Sequence, residues 1–277
     1  MCSSDLSGHV PLIDELRYLL GDPIEREEVY DPTIELYDET VREVTAAGDR
    51  GPGRPRTTQR TEDDPHAHVL VDEAQDLSPM QWRMLGRRGR YASWTIVGDP
   101  AQSAWPYPDE SDAARAEALR DKDQHRFRLS TNYRNSAEIY ELAARVARAA
   151  VPDPDLPEAV RRTGDHPEHR TVTTEELAAT TRDAVASMRQ AVDGTIGVVA
   201  PVARHAEVEG WLADEPDPRV RVLEPLDTKG LEFDAIVVVQ PGEIASESET
   251  GMRTLYVVLT RATQRLVTVS TDDGWLP

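Results

Sequence analysis

Short apolar runs that alternate with helical stretches constrain the fold of this chain more than any other feature of its sequence. The runs are HVLV at 68–71, SWTIV at 93–97, FRL at 127–129, TIGVVA at 195–200, VRVL at 220–223, AIVVV at 235–239 and RLVTVS at 265–270. Strands that are apolar along their whole length and alternate with helices are typical of a parallel sheet that is covered on both faces. The sequence therefore predicts an α/β fold built on parallel sheets.

Helical spacing of apolar residues fills the intervals between these runs. The predicted helices are PLIDELRYLL (11–20), IELYDETVREV (34–44), PMQWRMLGRR (79–88), SAEIYELAARVARAA (136–150), EELAATTRDAVASMRQAV (175–192) and RHAEVEGWLAD (204–214). Two segments lack such spacing. Residues 48–65 are rich in Gly, Pro and Arg, and residues 151–170 are rich in Pro and charge. Both segments are predicted to be loops.

The charge balance and the cysteine content limit the classes of protein. The formal net charge is -20, from 51 acidic against 31 basic residues, which opposes non-specific binding to nucleic acid because Lys and Arg bind the phosphate backbone. The single cysteine, Cys2, rules out an intrachain disulfide and fits a reducing cytosol. No apolar run approaches the roughly 20 residues that span a bilayer, and the first ten residues lack the pattern of a signal peptide. We expect a cytoplasmic protein without a membrane partner.

Adjacent acids follow the first apolar run directly. Asp72 and Glu73 come after HVLV, and ligands of open parallel sheets bind outside the carboxyl ends of the strands. A hydrated Mg²⁺ held by one carboxylate and by ligand phosphates would offset the repulsion between the two acids, and the second carboxylate could orient or deprotonate a water molecule. The alternative is a surface turn in which Asp76 or Ser78 caps the following helix.

Four further polar segments stand next to predicted strands or helices. The first runs from Gly98 to Gln102 after SWTIV, and its glycine would allow a sharp turn. The second contains Tyr133 and Arg134, and the third contains Lys229, Gly230 and Glu232. The fourth places Arg261 late in a short amphipathic helix. The planar donor fork of arginine suits phosphate. Any one of these segments could be purely structural.

Taken in order, the five polar segments carry a family resemblance. DEAQD, VGDPAQS, NYRNSAEI, TKGLEFD and YVVLTRA resemble motifs II, III, IV, V and VI of the UvrD/Rep-like superfamily 1 helicases and related motor ATPases. The resemblance implies the RecA-like P-loop NTPase fold, with ATP bound between two RecA-like α/β domains. Residues 1–125 would then form a partial first RecA-like domain with motifs II and III, and residues 126–277 a complete second domain with motifs IV, V and VI.

The resemblance assigns the first two motifs to one wall of an ATP site. It implies that Asp72 ligates Mg²⁺ and that Glu73 activates the attacking water. Gln102 would sense the γ-phosphate and link it to the nucleic-acid or partner side. Asp99 would support the end of the second strand.

The remaining motifs would form the opposite wall. The resemblance implies that Tyr133 stacks near the adenine, that Arg134 and Arg261 reach the γ-phosphate, and that Glu232 and the Gly230 backbone lie near the ribose or the phosphates. Arginines that neutralise phosphate charge can raise the rate of phosphoryl transfer by roughly 10³–10⁵-fold. Acids on one wall and arginines on the other would couple hydrolysis to closure of the cleft.

One part of an ATP site is missing from the sequence. The pattern G-x-x-x-x-G-K-[ST], which cradles phosphates and helps to hold Mg²⁺, does not occur in the chain. We expect a truncated chain whose missing N-terminal ATPase portion carries this pattern. The alternatives are a binding module that has lost it, or a separate partner chain that supplies it. The chain alone is expected to hydrolyse ATP little or not at all.

Further details narrow the resemblance. Residues 135–227 separate NYR from TKG, which leaves little room for the large insertion that UvrD/Rep helicases carry there. PLIDELRYLLG, DEAQDLSPMQWRML and LYVVLTRATQRL resemble HelD, a helicase-like ATPase that removes stalled RNA polymerase from DNA. The acidic balance suits a motor bound to protein. RNA polymerase is therefore the predicted partner, and the alternative is a DNA-unwinding UvrD-like helicase with DNA as its partner.

LEPLDTKG lacks the upstream His of related motifs, so a nucleic-acid contact is not expected there.

Overall fold

A computed structural model gives the fold, and it describes residues 9–21, 66–103, 107–120 and 122–277. The helices are α1 (Val10–Leu20), α2 (Pro79–Arg88), α3 (Pro108–Ala118), α4 (Ala137–Ala150), α5 (Leu177–Ala191), α6 (His205–Trp211), α7 (Pro241–Ser246) and α8 (Gly251–Thr260). The strands are β1 (His68–Val71), β2 (Ser93–Ile96), β3 (Thr131–Ser136), β4 (Glu158–Arg161), β5 (Glu168–Thr171), β6 (Ile196–Val199), β7 (Val220–Leu223), β8 (Phe233–Val239) and β9 (Ala262–Ser270). The helix predicted at 34–44 and the loop predicted at 48–65 lie outside the described residues. None of the described helices has the length and apolar character needed to cross a membrane.

The described residues divide into two compact units. The first unit contains residues 9–21, 66–71, 77–96, 109–120 and 122, and the second contains residues 72–76, 97–103, 107–108 and 123–277. The loops that follow β1 and β2 therefore belong to the second unit, although their strands belong to the first. The predicted division at residue 125 into RecA-like domains stays a prediction.

The first unit is built on a short parallel pair, β1 and β2. Its helix α2 begins at Pro79, and Ser78 caps it, because the Ser78 Oγ accepts from the Gln81 N–H at 3.3 Å while the Gln81 Oε1 accepts from the Ser78 N–H at 2.7 Å. This reciprocal capping box satisfies two N–H groups that the first helical turn leaves without partners. Of the two caps considered from sequence, Ser78 is the one that forms.

Ion pairs connect α1 to the C-terminal end of α2. Asp14 is buried and accepts from Arg87 Nη2 at 2.5 Å and from Arg88 Nη2 at 2.8 Å, and Glu15 accepts from Arg87 Nη1 at 2.6 Å. Burial opposes ionisation of Asp14, but the hydrogen bonds from the two arginines outweigh it and lower its pKa. The described N-terminal helix is therefore tied to α2 by charge as well as by packing.

The second unit contains a parallel sheet with the strand order β5-β9-β8-β6-β7. Alternate residues of the central strand β8 face opposite sides. Ile236 and Val238 pack in a cluster with α4, α7 and α8, whereas Ala235, Val237 and Val239 pack in a cluster with α5 and α6. Helices thus cover both faces of the sheet, and the prediction of an α/β fold with parallel sheets is confirmed.

One strand prediction and one loop prediction in the middle of the chain are wrong. The run FRL forms no strand, and Phe127 and Leu129 are 92% and 84% exposed. The strand begins two residues later as β3 and pairs with β4, which lies, with most of β5, in the segment 151–170 that was predicted as a loop. β5 is the edge strand of the large sheet and β4 pairs with β3 alone. Such strands are not buried on both faces, so they carry none of the apolar signal used to find the others.

Helix α8 is buried on almost all sides instead of being amphipathic. Its buried residues include Gly251 and the run Thr254 to Thr260. A Cβ on Gly251 would overlap the backbone carbonyls of Ile244 and Ala245. The short helix α8 therefore lies deep in the unit and leads directly into Arg261. The sequence predicts neither α3 nor α7.

Glu138, in the first turn of α4, holds the loop after β4 against that helix. Its carboxylate accepts from the N–H groups of Gly164 at 3.0 Å and of Thr163 at 3.3 Å. The hydrogen bond from its own backbone N–H, followed by the one from Gly164, lowers the pKa of Glu138 to about 2 from an ordinary value of 4.5. The ionised form is therefore favoured in the folded state.

We expect Glu138→Gln to remove part of the acid sensitivity of the protein. Between pH 4.5 and about 2 the unfolded carboxyl takes up a proton before the folded one does, so the wild-type protein loses this stability as the pH falls through that window. The variant cannot titrate at this position, and its urea midpoint should fall less steeply between pH 5 and pH 2.5. Glu141→Gln is the control, since Glu141 is exposed on the same helix and lies 3.9 Å from Arg162. Parallel curves for Glu138→Gln and the wild type would contradict the assignment.

Candidate functional site

The acids after β1 adopt a strained backbone. Glu73 has φ of 49°, in the left-handed region that residues other than Gly rarely adopt, and its N–H donates to Asp72 Oδ1 at 2.9 Å. Both side chains are exposed. A strained residue persists only where its surroundings hold it, and such residues concentrate at functional sites.

Gln75 connects the loop after β1 to the loop after β2. Its Nε2 donates to Glu73 Oε2 at 2.6 Å, and its Oε1 accepts from the Asp99 N–H at 3.0 Å. A Cβ on Gly98 would come within 2.8 Å of Gln75 Oε1. Glycine at position 98 therefore allows the close approach of the two loops, and no positive φ requires it there.

Asp99 and Gln102 extend this connection toward α8. Asp99 caps a short 3-10 helix, Pro100–Gln102, through Oδ1, which accepts from the Ala101 N–H at 2.9 Å. Its Oδ2 accepts from Gln102 Nε2 at 2.8 Å, and Gln102 Oε1 in turn accepts from Arg261 Nη2 at 2.8 Å. We call the series Glu73, Gln75, Asp99, Gln102 and Arg261 the acid–arginine chain. It joins an exposed carboxylate to a buried guanidinium through side-chain bonds and one backbone N–H.

Arg261 is the buried end of this chain. It is 3% exposed, directly follows α8, and its Nε donates to the Val257 carbonyl at 3.2 Å. Burial and then repulsion from Arg134 lower the pKa of Arg261, while Glu73 and Glu232 act in the opposite direction. An arginine keeps its charge at neutral pH under such shifts. The site therefore contains a desolvated positive charge, which favours an anion.

Arg134 and Glu232 form an ion pair beside Arg261. Arg134 Nη2 lies 2.5 Å from Glu232 Oε1, and both side chains are nearly half exposed. The ring of the neighbouring Tyr133 is 75% exposed. An exposed ion pair contributes little stability, so Arg134 can exchange Glu232 for another anion at small cost.

Lys229 makes a contact that the sequence does not predict, and the next residue, Gly230, has a positive φ. Lys229 Nζ donates to Asp76 Oδ2 at 2.6 Å and so joins motif V to the last acid of motif II. Gly230 has φ of 71°, a conformation that glycine adopts without strain. Lys229 is one of only two lysines in the chain. This rarity is the feature of the sequence that could have indicated a special role for Lys229.

The structure thus brings together most of the residues that the sequence singled out. Glu73, Asp99, Gln102 and Arg261 are bonded members of one chain, and Arg134 and Glu232 influence Arg261 directly. Asp72 contacts this group through the Glu73 backbone. Gln75 was missed as a site residue, although it stands inside the quoted DEAQD motif. The polar type of that residue at a strand end was the signal.

Two buried tyrosines lie beside the acid–arginine chain. Burial, and then the charge of Asp99, raise the pKa of Tyr256. Burial likewise raises the pKa of Tyr140. Both phenols therefore stay neutral, and Tyr256 belongs to the apolar cluster around α4 and α8.

No group of three or more His, Cys, Asp or Glu side chains forms a ready metal cage in the part of the chain that the structure describes. Mg²⁺ does not require such a cage, since it keeps several waters and is often held by one or two carboxylates and substrate phosphates. Asp72, exposed at a strand end, fits this limited role. The remaining ligands would have to come from water and phosphate.

Models of two known families match two separate segments of the chain. The model of the UvrD/REP helicase N-terminal domain matches residues 53–108, and that of the UvrD-like helicase C-terminal domain matches residues 227–269. Over these two segments the chain is similar to UvrD-like helicases. The first helicase segment contains Asp72, Glu73, Asp99 and Gln102, and the second contains Gly230, Glu232 and Arg261.

Curated relatives match a longer part of the chain. The RecBCD enzyme subunit RecB from two strains of Mycobacterium tuberculosis, CDC 1551 / Oshkosh and ATCC 25618 / H37Rv, is 30% identical over 168 residues. The alignment covers 60% of this helicase-like chain but 14% of those relatives. The chain therefore spans a small part of their length.

Solved structures with some likeness to this helicase-like chain were also found. One is the C-terminal domain of a possible DNA helicase from Lactobacillus plantarum WCFS1, with 18% identity and a TM-score of 0.40 over 52% of this chain and 92% of that one. Another is Arterivirus nonstructural protein 10 (helicase), with 16% identity and a TM-score of 0.42 over 76% of this chain and 40% of that one.

Proposed function

We propose that the chain provides the motif II to VI part of an ATP site in a UvrD/Rep-type motor, within a RecA-like arrangement of domains. The acid–arginine chain supports this proposal more than any other observation, because it connects a carboxylate suited to activating water with an arginine suited to phosphate. Phosphoryl transfer needs positioning and neutralisation of charge on the phosphate oxygens. These residues can supply both.

Each residue has a proposed role at the phosphates. Glu73, whose backbone is strained, orients and deprotonates the attacking water. Asp72 holds Mg²⁺, which neutralises phosphate charge when bound. Arg134 and Arg261 bind the γ-phosphate, and Gln102, bonded to both Asp99 and Arg261, reports its presence to the loop after β2.

The remaining predicted residues are proposed to bind the nucleoside. The exposed ring of Tyr133 offers a face on which the adenine can stack. Glu232, two residues after Gly230, would accept from the ribose hydroxyls once Arg134 binds phosphate instead of Glu232. The left-handed backbone at Gly230 allows its peptide to approach the nucleotide closely.

Hydrolysis of ATP with Mg²⁺ tests this proposal. The purified chain is assayed beside a form that carries the upstream sequence of its gene, and the chain alone should turn over little or not at all because it lacks G-x-x-x-x-G-K-[ST]. In whichever form is active, we expect Glu73→Gln to reduce turnover by about 10²–10⁴-fold, because the amide cannot act as a base. ATP binding should be retained.

Glu141→Gln is the matched control for that experiment, since Glu141 is an exposed carboxylate on α4 outside the acid–arginine chain. It should turn over like the wild type. Equal turnover by Glu73→Gln and the wild type would remove Glu73 from the role of general base. If no form hydrolyses ATP, the result favours the alternative, a RecA-like interaction module.

Nucleic acid is the proposed partner of the motor. The two helicase-domain matches support a nucleic-acid partner. Binding of a fluorescent single-stranded DNA, with and without ATP, is the direct measurement. Its affinity should weaken as salt rises, because counterions are released on binding.

RNA polymerase is the second candidate partner. The HelD-like motif details and the net charge of -20 favour a motor bound to protein over one that tracks along DNA. Co-elution of the chain with purified core RNA polymerase, in the absence of nucleic acid, would support this partner. Binding to single-stranded DNA without binding to polymerase would exclude it.

A further inference from the structure

We propose that Asn135 and Arg161 are positioning residues that fix the spacing between Arg134 and Arg261. We call Asn135 with Arg161 the arginine clip. The inference deepens the proposed function, because it concerns how the two phosphate-binding arginines are held before a nucleotide arrives. Neither clip residue is among the site residues predicted from sequence.

Asn135 bonds to the two carbonyls that flank Arg261. Its side chain is 2% exposed, and its Nδ2 donates to the Thr260 carbonyl at 2.8 Å and to the Ala262 carbonyl at 2.6 Å. Asn135 also follows Arg134 directly in the chain. One buried amide group therefore connects the backbone on both sides of one arginine to the residue next to the other.

Arg161, from β4, makes the same connection from a different strand. Its Nη2 donates to the Arg134 carbonyl at 2.7 Å and to the Thr263 carbonyl. The β3 segment that carries Arg134 and the segment 260–263 that carries Arg261 are thus joined by two independent side chains.

Asn132 sets the orientation of the clip. Its Nδ2 donates to Asn135 Oδ1 at 2.9 Å, which leaves the Asn135 Nδ2 to face the carbonyls. Its Oδ1 accepts from the backbone N–H groups of Arg134 at 2.9 Å and of Asn135 at 3.2 Å. Asn132 and Asn135 are the only asparagines in the chain, and both are used in this turn.

The clip offsets a repulsion that the site contains. Arg134 lowers the pKa of Arg261, so the two guanidinium groups repel each other in the absence of a ligand. Arg134 is also paired with Glu232 on its exposed side. Backbone anchoring through Asn135 and Arg161 keeps the two arginines together despite this repulsion, and a γ-phosphate then meets a pair that is already arranged.

Hydrogen exchange on the full chain tests the clip without any nucleotide. Asn135→Asp keeps the shape of the side chain but presents oxygen to the two carbonyls, and Arg161→Met keeps its length but loses the donors. We expect amides in 131–136 and 260–263 to exchange about tenfold faster or more in either variant. Arg162→Met is the control, because Arg162 is the next residue and its ion pair with Glu141 at 3.9 Å is exposed. Unchanged exchange, or a rise spread evenly over the chain, would overturn the proposal.

A second readout separates positioning from simple stabilisation. The affinities of fluorescent ATP and ADP analogues for the chain are compared in the presence of Mg²⁺. The clip variants should lose preference for ATP over ADP while ADP affinity stays unchanged, and Arg161→Lys should retain part of that preference. Faster local exchange with an unchanged ATP-to-ADP ratio would show that the clip does not position the arginines. If the wild-type chain binds neither analogue, the comparison is made in the form that carries the upstream sequence, because the chain alone lacks G-x-x-x-x-G-K-[ST]. If that form also binds neither analogue, the proposed function fails, and the exchange experiment alone decides the clip.

Discussion

Arg261→Ala is expected to reduce ATP hydrolysis by about 10³–10⁵-fold in the form of the protein that turns over. An arginine at the transferring phosphate contributes that much to the rate of related phosphoryl transfers. Arg261 is also the buried end of the acid–arginine chain, so its loss leaves Gln102 Oε1 without its donor. The initial rate at saturating MgATP is the measurement. The affinity for ADP should change little, because Arg261 is proposed to contact only the γ-phosphate.

Arg253→Ala is the control for this prediction. Arg253 lies on α8, about two turns before Arg261, which directly follows that helix. Its removal tests whether the loss of any arginine in this part of the chain slows the reaction. Arg261→Lys adds a second comparison, since it keeps the charge but loses the planar fork, and it should remain strongly impaired. A wild-type rate for Arg261→Ala, in a protein whose melting temperature shows that it is folded, would exclude Arg261 from phosphate binding.

Leu142→Ala is expected to lower the free energy of unfolding by about 2–5 kcal/mol. Leu142 is buried on α4, in the apolar cluster that joins α4 and α8 to one face of the large sheet. Truncation removes apolar contacts and leaves a cavity that rigid neighbours such as Ile236 and Leu255 fill only in part. Urea unfolding followed by far-UV circular dichroism measures the loss.

Leu129→Ala is the matched control for that substitution. It removes the same atoms, but Leu129 is 84% exposed, so the expected change is within about 0.5 kcal/mol. Equal losses from the two variants would mean that the α4 face is not the core of this unit. Because α4 begins next to Arg134 and Asn135, a large effect of Leu142→Ala would also connect core packing to the arginine pair.

Local pattern was sufficient for much of the fold. The helix at 79–88 was predicted with its observed bounds, and Ser78 was one of the two caps predicted for it. The strands β1, β2, β6, β7, β8 and β9 overlap predicted apolar runs. These elements are recognisable because helices and buried strands impose a period or a continuous apolar run on neighbouring residues. β3, β4 and β5 were missed because strands of this kind do not impose that pattern.

The site shows the same division between local and long-range information. The sequence indicated Glu73, Gln102, Arg134 and Arg261 through motifs of a few residues each. It did not indicate that Gln75 joins the first two loops, or that Lys229 bonds to Asp76. The Gln75–Asp99 and Lys229–Asp76 bonds join residues that are 24 and 153 positions apart in the chain, so no short motif contains both partners.

By itself, the sequence determined the α/β class with parallel sheets, the order of the helicase-like motifs and the residue types suited to phosphate chemistry. Only the tertiary structure decided that the loops after β1 and β2 belong to the unit of the large sheet, and that Asn135 and Arg161 anchor the backbone on either side of the arginine pair. The physical reason is that a side chain's type and local spacing select its secondary structure. Its hydrogen-bond partners depend on which distant segments the folded backbone brings within about 3 Å of it.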